Sequence, residues 1–200
     1  MIICQFCKYD NTDDSNFCVA CGNNLRKQDH FVKEEVVHYQ PTEFQVEQKI
    51  IAIKPTYKIS DMEGRVIMEA KRTLTSPFNP KIEVKRPDGL PLGLVKGNLF
   101  RTSWKIIDAE GNIHAVIKFP LIMFFGKTFK IQTQMGVFRS GRSLFEKKFD
   151  AYAPDGRLSF VVDKKIIAIR DKFKIISDGL LSPFVTCLAA VTIDQKFHSK

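Results

Sequence analysis

Four cysteines near the start of the chain are the residues whose type and spacing point most clearly to chemistry. Cys4, Cys7, Cys18 and Cys21 form two Cys-x-x-Cys pairs with ten residues between the pairs. Each pair can present two thiolates to one metal ion, and two pairs complete a tetrahedral site with Zn–S distances of about 2.3 Å. Because thiolates fill all four positions, no position stays open for a water nucleophile. We therefore predict a structural Zn²⁺ site.

Disulfides and a redox pair are the other uses of such cysteines. The first residues, MIICQFCKYD, have no basic region followed by an apolar one, so we see no signal peptide and expect a cytoplasmic protein. Stable disulfides are rare there, and a redox Cys-x-x-Cys would not need a second copy at this spacing. Both arguments favour zinc.

Residues 1–26 resemble the short zinc ribbons at the N-termini of many bacterial and archaeal proteins. The match consists of the two Cys-x-x-Cys pairs, Gly22 and the NNL that follows it. Such ribbons serve in protein docking or in nucleic-acid binding. Because phosphate contacts need more basic side chains than Lys8, Arg26 and Lys27 supply, we favour protein docking.

After a polar linker at 27–42, the chain becomes a series of short segments with β-strand character. Turn signals separate them, namely DMEG at 61–64, PDG at 87–89, DAEG at 108–111 and PDG at 154–156. Each ends in a glycine, which supplies the positive φ that a tight hairpin turn requires. We therefore predict antiparallel hairpins.

The segments share a repeated unit, an aromatic residue followed by Lys and Ile. It occurs at 57–59, 104–106, 129–131 and 173–175, and an apolar pair precedes each copy: Ile50-Ile51, Leu99-Phe100, Phe124-Phe125 and Ile166-Ile167. In a strand, this order buries the aromatic residue and the Ile and leaves the Lys in solvent. We expect the apolar pairs to add to the same inner face. The longer match between KIIAI at 49–53 and at 165–169 predicts two quasi-equivalent positions in a closed or nearly closed sheet.

The last element is predicted to be a helix from Ser182 to Gln195. Ser182 is suited to the N-cap and Pro183 to the first helical position, and residues 184–193 are apolar on almost all sides. Its length of about 21 Å is less than the roughly 30 Å of a membrane's hydrocarbon core. We therefore predict a core helix enclosed by the sheet, with Cys187 as a buried and unreactive thiol.

Three stretches carry a resemblance to a known family: KIIAIKPTYKISDMEG, KKIIAIRDKFKI and the terminal LAAVTIDQKFH. They resemble the LURP-one-related and phospholipid-scramblase-like proteins of the tubby C-terminal-like superfamily. The resemblance covers 43–198 and implies a mainly β fold, a closed antiparallel tubby-like barrel of about a dozen strands around the C-terminal helix. It also implies binding of phosphoinositides through basic residues. The chain lacks the Pro-rich tail and the cysteine cluster of animal scramblases.

The charge of the chain is uneven. The net charge is +9, yet residues 1–56 carry six Lys/Arg against eight Asp/Glu, so the whole excess lies in residues 57–200. A surface of that sign attracts nucleic acid, anionic lipid or acidic proteins, although outward lysines also serve solubility. His30, His38, His114 and His198 have no evident nucleophile or carboxylate partner nearby in sequence, and we predict a protein that is not an enzyme.

Basic pairs near strand ends are the candidate ligand-binding residues. They are Lys71, Arg72, Lys85, Arg86, Lys147, Lys148, Lys164 and Lys165. Several of these could converge on one rim of the barrel and bind anionic phospholipid headgroups at a membrane surface. The alternatives are a scaffold that the zinc ribbon recruits to a protein and, with less support, nucleic-acid binding or phospholipid scrambling. Trp104 fills the aromatic position of a repeat, which favours core packing over base stacking.

Overall fold

The structure is a computed structural model, and the chain divides into two compact units, Met1–Phe31 and Val32–Lys200. The described residues are 2–3, 10–12, 42–49, 55–73, 80–121, 128–141, 148–167 and 170–198.

In the first unit, the described residues form a small antiparallel sheet. Strand β1 (Ile2–Ile3) pairs with β2 (Asp10–Asn11), with Ile2 opposite Asn11 and Ile3 opposite Asp10. The residues that connect these two strands include Cys4 and Cys7. All four cysteines of the predicted zinc site lie outside the described residues, so the site stays a prediction.

The second unit is a closed antiparallel barrel of twelve strands. The strands are β3 (Thr42–Lys49), β4 (Thr56–Ser60), β5 (Val66–Thr73), β6 (Lys81–Lys85), β7 (Pro91–Gly97), β8 (Ser103–Asp108), β9 (Ile113–Lys118), β10 (Lys130–Thr133), β11 (Gly136–Ser140), β12 (Lys148–Tyr152), β13 (Leu158–Ile167) and β14 (Arg170–Ser177). Each strand pairs with its neighbour in the chain, and β14 pairs with β3 to close the barrel. The mainly β class and the closed barrel are as predicted.

All four predicted hairpin turns are present. Gly64, Gly89, Gly111 and Gly156 have φ values of 77°, 88°, 93° and 86°. Each glycine donates its N–H to the carbonyl oxygen of the residue three positions earlier in the chain, at 2.9 to 3.3 Å. Because an L side chain rarely adopts such φ values, the glycines identified from sequence are what permits these tight reversals.

The predicted alternation within the repeated unit is also confirmed. Tyr57, Trp104, Phe129 and Phe173 are buried, and so is the isoleucine two residues after each of them. The lysines between them lie on the outer face and are exposed or half-exposed. Alternate side chains of a strand point to opposite faces, so this pattern lines the interior of the barrel with apolar groups.

One of the apolar pairs is not part of that interior, and here the prediction was wrong. Leu99 and Phe100 lie in the turn between β7 and β8, and both side chains are exposed. The chain reverses at this turn, so the two residues extend past the end of the sheet. Ile50-Ile51 and Phe124-Phe125 lie outside the described residues.

The described residues of the two KIIAI stretches, Lys49 and residues 165–167, lie at the ends of neighbouring hairpins. Lys49 ends β3, which the β4 strand follows, and Lys165, Ile166 and Ile167 end β13, which β14 follows. Strands β13, β14, β3 and β4 are adjacent in that order around the barrel. Lys49 and residues 165–167 lie at corresponding hairpin ends, and the rest of both copies lies outside the described residues, so their quasi-equivalence stays a prediction.

Helix α1 (Pro183–His198) fills the barrel. Ser182 Oγ accepts a hydrogen bond from the Val185 N–H at 3.3 Å, which is the predicted N-cap. All residues from 185 to 195, including Cys187, are buried, and the helix contacts β8, β9 and β14 on different sides. The enclosed core helix is thus confirmed. In the part of the chain that the structure describes, no helix is long and apolar enough to cross a membrane.

The helix gives the barrel two distinct ends. The entry end, where α1 begins, holds the connections that follow even-numbered strands from β4 to β14. The exit end holds the connections that follow odd-numbered strands from β3 to β13. Because α1 is 16 residues long, about 24 Å, it passes through the barrel, and Lys196 reaches Phe119, which follows β9 at the exit end.

Candidate anion-binding surface

Five basic side chains lie on the outer face of consecutive strands near the exit end. We call this set the basic wall, and its members are Lys96 in β7, Lys105 in β8, Lys118 in β9, Lys130 in β10 and Arg139 in β11. All five residues are exposed, while residues next to them in the same strands, such as Val95, Trp104 and Ile117, are buried. Strand alternation therefore holds the five cations on one surface.

Members of the basic wall lie opposite one another across neighbouring strands. Lys96 is the cross-strand partner of Lys105, and Lys130 is the partner of both Lys118 and Arg139. Within the described residues, none of these five has a carboxylate within ion-pair distance. Asp108 is the one acidic residue within the five strands β7, β8, β9, β10 and β11, and it lies at the entry end. Like charges directly opposite in a sheet repel, so this surface has a positive potential that no side chain of the described residues there neutralises.

The opposite side of the barrel has a different arrangement of charge. There Lys58 pairs with Glu69 at 3.3 Å, Lys148 pairs with Asp163 at 3.0 Å, and two further ion pairs join β14 to β3: Lys172 with Glu47 and Lys174 with Glu43. We call these residues the paired wall. Among the described residues, the barrel thus has one side on which lysines pair with carboxylates and another on which they do not.

A small cavity of about 100 Å³ opens at the exit end, beside the basic wall. Its lining consists of Arg72, Arg101, Trp104, Gln195 and Lys196. Arg72 occupies an inward position of β5, in phase with the buried Met68 and Ala70, while Lys196 belongs to the last turn of α1. Burial lowers the pKa of Lys196, and the nearby charge of Arg101 lowers it further. Three cations around one small space favour an anion there.

The turn that carries Arg101 is fixed by several hydrogen bonds. Asn98 Oδ1 accepts the N–H groups of Thr102 and Ser103 at 2.8 and 3.1 Å. Trp104 Nε1 donates to the Arg101 carbonyl oxygen at 3.3 Å, and Arg101 itself has a φ of 53°. A non-glycine residue seldom adopts this conformation, so the turn holds Arg101 in place at a cost in backbone energy.

The residues predicted from sequence are distributed over both ends. Lys71 and Arg72 are near the exit end of β5, and Lys148 begins β12 at the same end, whereas Lys85 and Arg86 are at the entry end. Lys71, Arg72 and Lys148 therefore share one end of the barrel, and Lys85 and Arg86 lie at the other. Lys147 lies outside the described residues, and for Lys164 and Lys165 the described part is their backbone in β13.

Several of the predicted cations have a carboxylate close by. Arg86 pairs with Asp88 at 2.8 Å and Lys148 pairs with Asp163. Lys71 and Lys85 have glutamates, Glu83 and Glu69, as their cross-strand partners. Among the predicted residues whose side chains the structure describes, Arg72 is the one that lines the exit-end cavity.

The basic wall was missed because its members are single lysines and arginines rather than pairs. One signal was available: residues 89–145 contain eight Lys/Arg and two Asp/Glu. That imbalance accounts for most of the net charge, and charge counted segment by segment would have indicated this region.

His114 has a carboxylate partner that the sequence did not reveal. Its Nε2 lies 2.9 Å from Asp108 Oδ2, and its ring contacts Phe184 edge-on with centroids 5.8 Å apart. Burial raises the pKa of Asp108, but hydrogen bonds from Asn112 and His114 outweigh it, so that this pKa lies below its usual value. The pair links the β8–β9 turn to the start of α1. Within the described residues, no three His, Cys, Asp or Glu side chains are close enough to hold a metal ion.

No protein-family model matches this chain, and no curated protein matches its sequence.

Proposed function

We propose that this protein binds anionic phospholipid headgroups at a membrane surface through the basic wall. The observation that carries the proposal is the cross-strand series of cations on β7 to β11, none of which has a carboxylate partner among the described residues. A fold keeps like charges opposite one another at a cost in stability, and an external anion relieves that cost.

The physical strength of such a surface is sufficient for reversible binding. Each basic side chain near an anionic membrane contributes about 1 kcal/mol, so five contribute a partition coefficient of several thousand before salt screening. The exit-end cavity adds a directed contact, because Arg72 and Arg101 have planar guanidinium groups that match the oxygens of a phosphate. The wall would attract the membrane, and the cavity would contact a single headgroup phosphate.

The closed barrel around an apolar helix supports the assignment to the tubby-like superfamily, with its LURP-one-related and scramblase-like members. We extend the proposal to a cytoplasmic protein without enzymatic activity. For the first unit we propose a structural Zn²⁺ held by Cys4, Cys7, Cys18 and Cys21. The β1–β2 pairing supports this, because it brings the two ends of the segment that contains Cys4 and Cys7 together.

A vesicle-binding experiment with matched variants tests the membrane proposal. The test variant is Lys105→Gln/Lys118→Gln/Lys130→Gln, in the basic wall. The control is Lys58→Gln/Lys172→Gln/Lys174→Gln, which removes the same charge from the paired wall. With phosphatidylcholine vesicles that contain phosphatidylserine, we expect the test variant to bind roughly 100-fold more weakly than the wild type and the control to bind with little change.

Two results would contradict the proposal. One is equal loss of vesicle binding in both triple variants, which would show that net charge matters and the wall does not. The other is a wild-type protein that binds duplex DNA or RNA with a steep salt dependence and no vesicles, which would favour nucleic acid as the ligand.

A further inference from the structure

Three large apolar side chains are exposed together at the exit end of the barrel. We call Leu99, Phe100 and Leu121 the apolar tip, and their exposed fractions are 51%, 70% and 75%. Leu99 and Phe100 belong to the β7–β8 turn, while Leu121 follows β9. Exposing such residues costs free energy in water, and a cluster of them at one place marks a surface for a partner.

Hydrogen bonding places the two segments of the apolar tip side by side. The Phe119 N–H donates to the Thr102 carbonyl oxygen at 2.8 Å, and the adjoining residues Ser103 and Lys118 are cross-strand partners. Leu121 is two residues from the donor of this bond, and Phe100 is two residues from its acceptor. The bond therefore joins the turn to the segment after β9, and the apolar groups share one corner of the barrel.

The surroundings of the apolar tip are positively charged. Arg101 follows Phe100 directly, Lys118 lies at the end of β9, and the exit-end cavity adds Arg72 and Lys196. Apolar side chains bordered by cations match the boundary between acyl chains and headgroups of an anionic membrane. A neutral apolar protein surface would gain nothing from these cations, so the charge pattern favours the membrane as the occupant.

We propose that the apolar tip inserts into the headgroup–acyl boundary of an anionic bilayer, with the exit end of the barrel facing the membrane. This inference rests on the proposed function and adds the orientation and depth of binding. An insertion of about 5–10 Å puts Phe100 and Leu121 among the first acyl carbons and Arg101 and Lys118 at the level of the phosphates. The hydrogen bonds of the Asn98 turn hold Leu99 and Phe100 in their exposed position in the absence of a membrane.

The first test uses salt to separate insertion from electrostatic attraction. The test variant is Phe100→Ser/Leu121→Ser. The matched control is Leu90→Ser/Leu158→Ser at the entry end, where Leu90 precedes β7 and Leu158 begins β13, and where both side chains are exposed, at 54% and 49%. Vesicles contain phosphatidylcholine and phosphatidylserine, and binding is measured at about 0.1 M and about 0.5 M NaCl. We expect the test variant to lose about 100-fold in binding at both salt concentrations and the control to behave as the wild type.

The second test measures depth. Trp104 is buried and is the single tryptophan of the chain, so Phe100→Trp introduces one exposed indole. We expect brominated acyl chains to quench the fluorescence of the added indole in Phe100→Trp. The fluorescence of Trp104 in the wild type should not change.

The outcomes separate this inference from the proposed function. A wild type that binds anionic vesicles, together with a Phe100→Trp indole that is not quenched, would overturn insertion and leave headgroup binding in place. A Phe100→Ser/Leu121→Ser variant that binds vesicles as tightly as the wild type would also overturn insertion and leave headgroup binding in place. If the apolar tip bound a protein instead of the membrane, it would be a protein-docking surface. A wild type that binds no vesicle overturns both proposals.

Discussion

Lys118 and Lys130 lie directly opposite each other in β9 and β10, and both are exposed on the outer face of the barrel. Neither has a carboxylate within ion-pair distance among the described residues. Two like charges in this arrangement destabilise a sheet. We therefore interpret the pair as part of a surface whose charge is neutralised by a mobile or membrane-bound anion.

Replacing Lys130 by Gln should stabilise the protein in the absence of lipid while it weakens vesicle binding. Its removal relieves repulsion with both Lys118 and Arg139, and we expect the free energy of unfolding at low salt to rise by about 0.5 kcal/mol. Urea denaturation measures this change. The control is Lys174→Gln, which removes the ion pair with Glu43 and should leave stability equal or slightly lower. A less stable Lys130→Gln protein would argue against the repulsion.

The hydrogen bonds to Asp108 predict a dependence of stability on pH. The pKa of Asp108 in the folded protein lies below its value in the unfolded chain, so the carboxylate stabilises the fold above about pH 4 and loses that effect as the pH falls. Asp108→Asn should therefore be less stable than the wild type near neutral pH, and the difference should narrow below pH 4. Unfolding measured across this range checks the prediction, and a constant difference would contradict it.

Gly93 in β7 should tolerate no side chain. It has a φ of 149°, and a Cβ there would lie 2.1 Å from the Ile107 carbonyl oxygen. We expect Gly93→Ala to lower the free energy of unfolding by about 2–4 kcal/mol, since the β7–β8 backbone must move apart. Gly89→Ala is the control, because Gly89 also has a positive φ, 88°, but open space around it, and should cost only about 1 kcal/mol. Similar losses for the two variants would be inconsistent with the clash.

The proposed zinc site predicts one tightly held Zn²⁺ per chain. Elemental analysis of the purified protein should find that stoichiometry, and Cys4→Ser/Cys18→Ser should abolish it because each cysteine pair loses a ligand. The matched control is Cys187→Ser, at the fully buried thiol inside the barrel, where burial raises the pKa of the thiol. Zinc retained in Cys4→Ser/Cys18→Ser would contradict the site.

Features that depend on local sequence were predictable. The turn glycines, the burial of Tyr57 and Ile59, and the Ser182 cap follow from backbone conformation and strand alternation, which short segments encode. The apolar character of α1 on all sides indicated an enclosed helix for the same reason.

Features that depend on which strands become neighbours were not predictable in this way. Lys58 and Lys105 occupy the same place in the repeated unit, yet Lys58 lies opposite Glu69 and Lys105 lies opposite Lys96. The register of the closed sheet makes this difference, and no short stretch contains it. Leu99-Phe100 was assigned to the interior because composition alone does not distinguish a strand from the turn that ends it.

The most direct test of the account is the binding of the two charge-matched triple variants to phosphatidylserine vesicles in parallel with the wild type. If the basic wall binds the headgroups, Lys105→Gln/Lys118→Gln/Lys130→Gln should lose roughly 100-fold in partitioning, and Lys58→Gln/Lys172→Gln/Lys174→Gln should stay close to the wild type. Equal binding by both variants, or an equal loss in both, would contradict the claim that this side of the barrel is the membrane-binding surface.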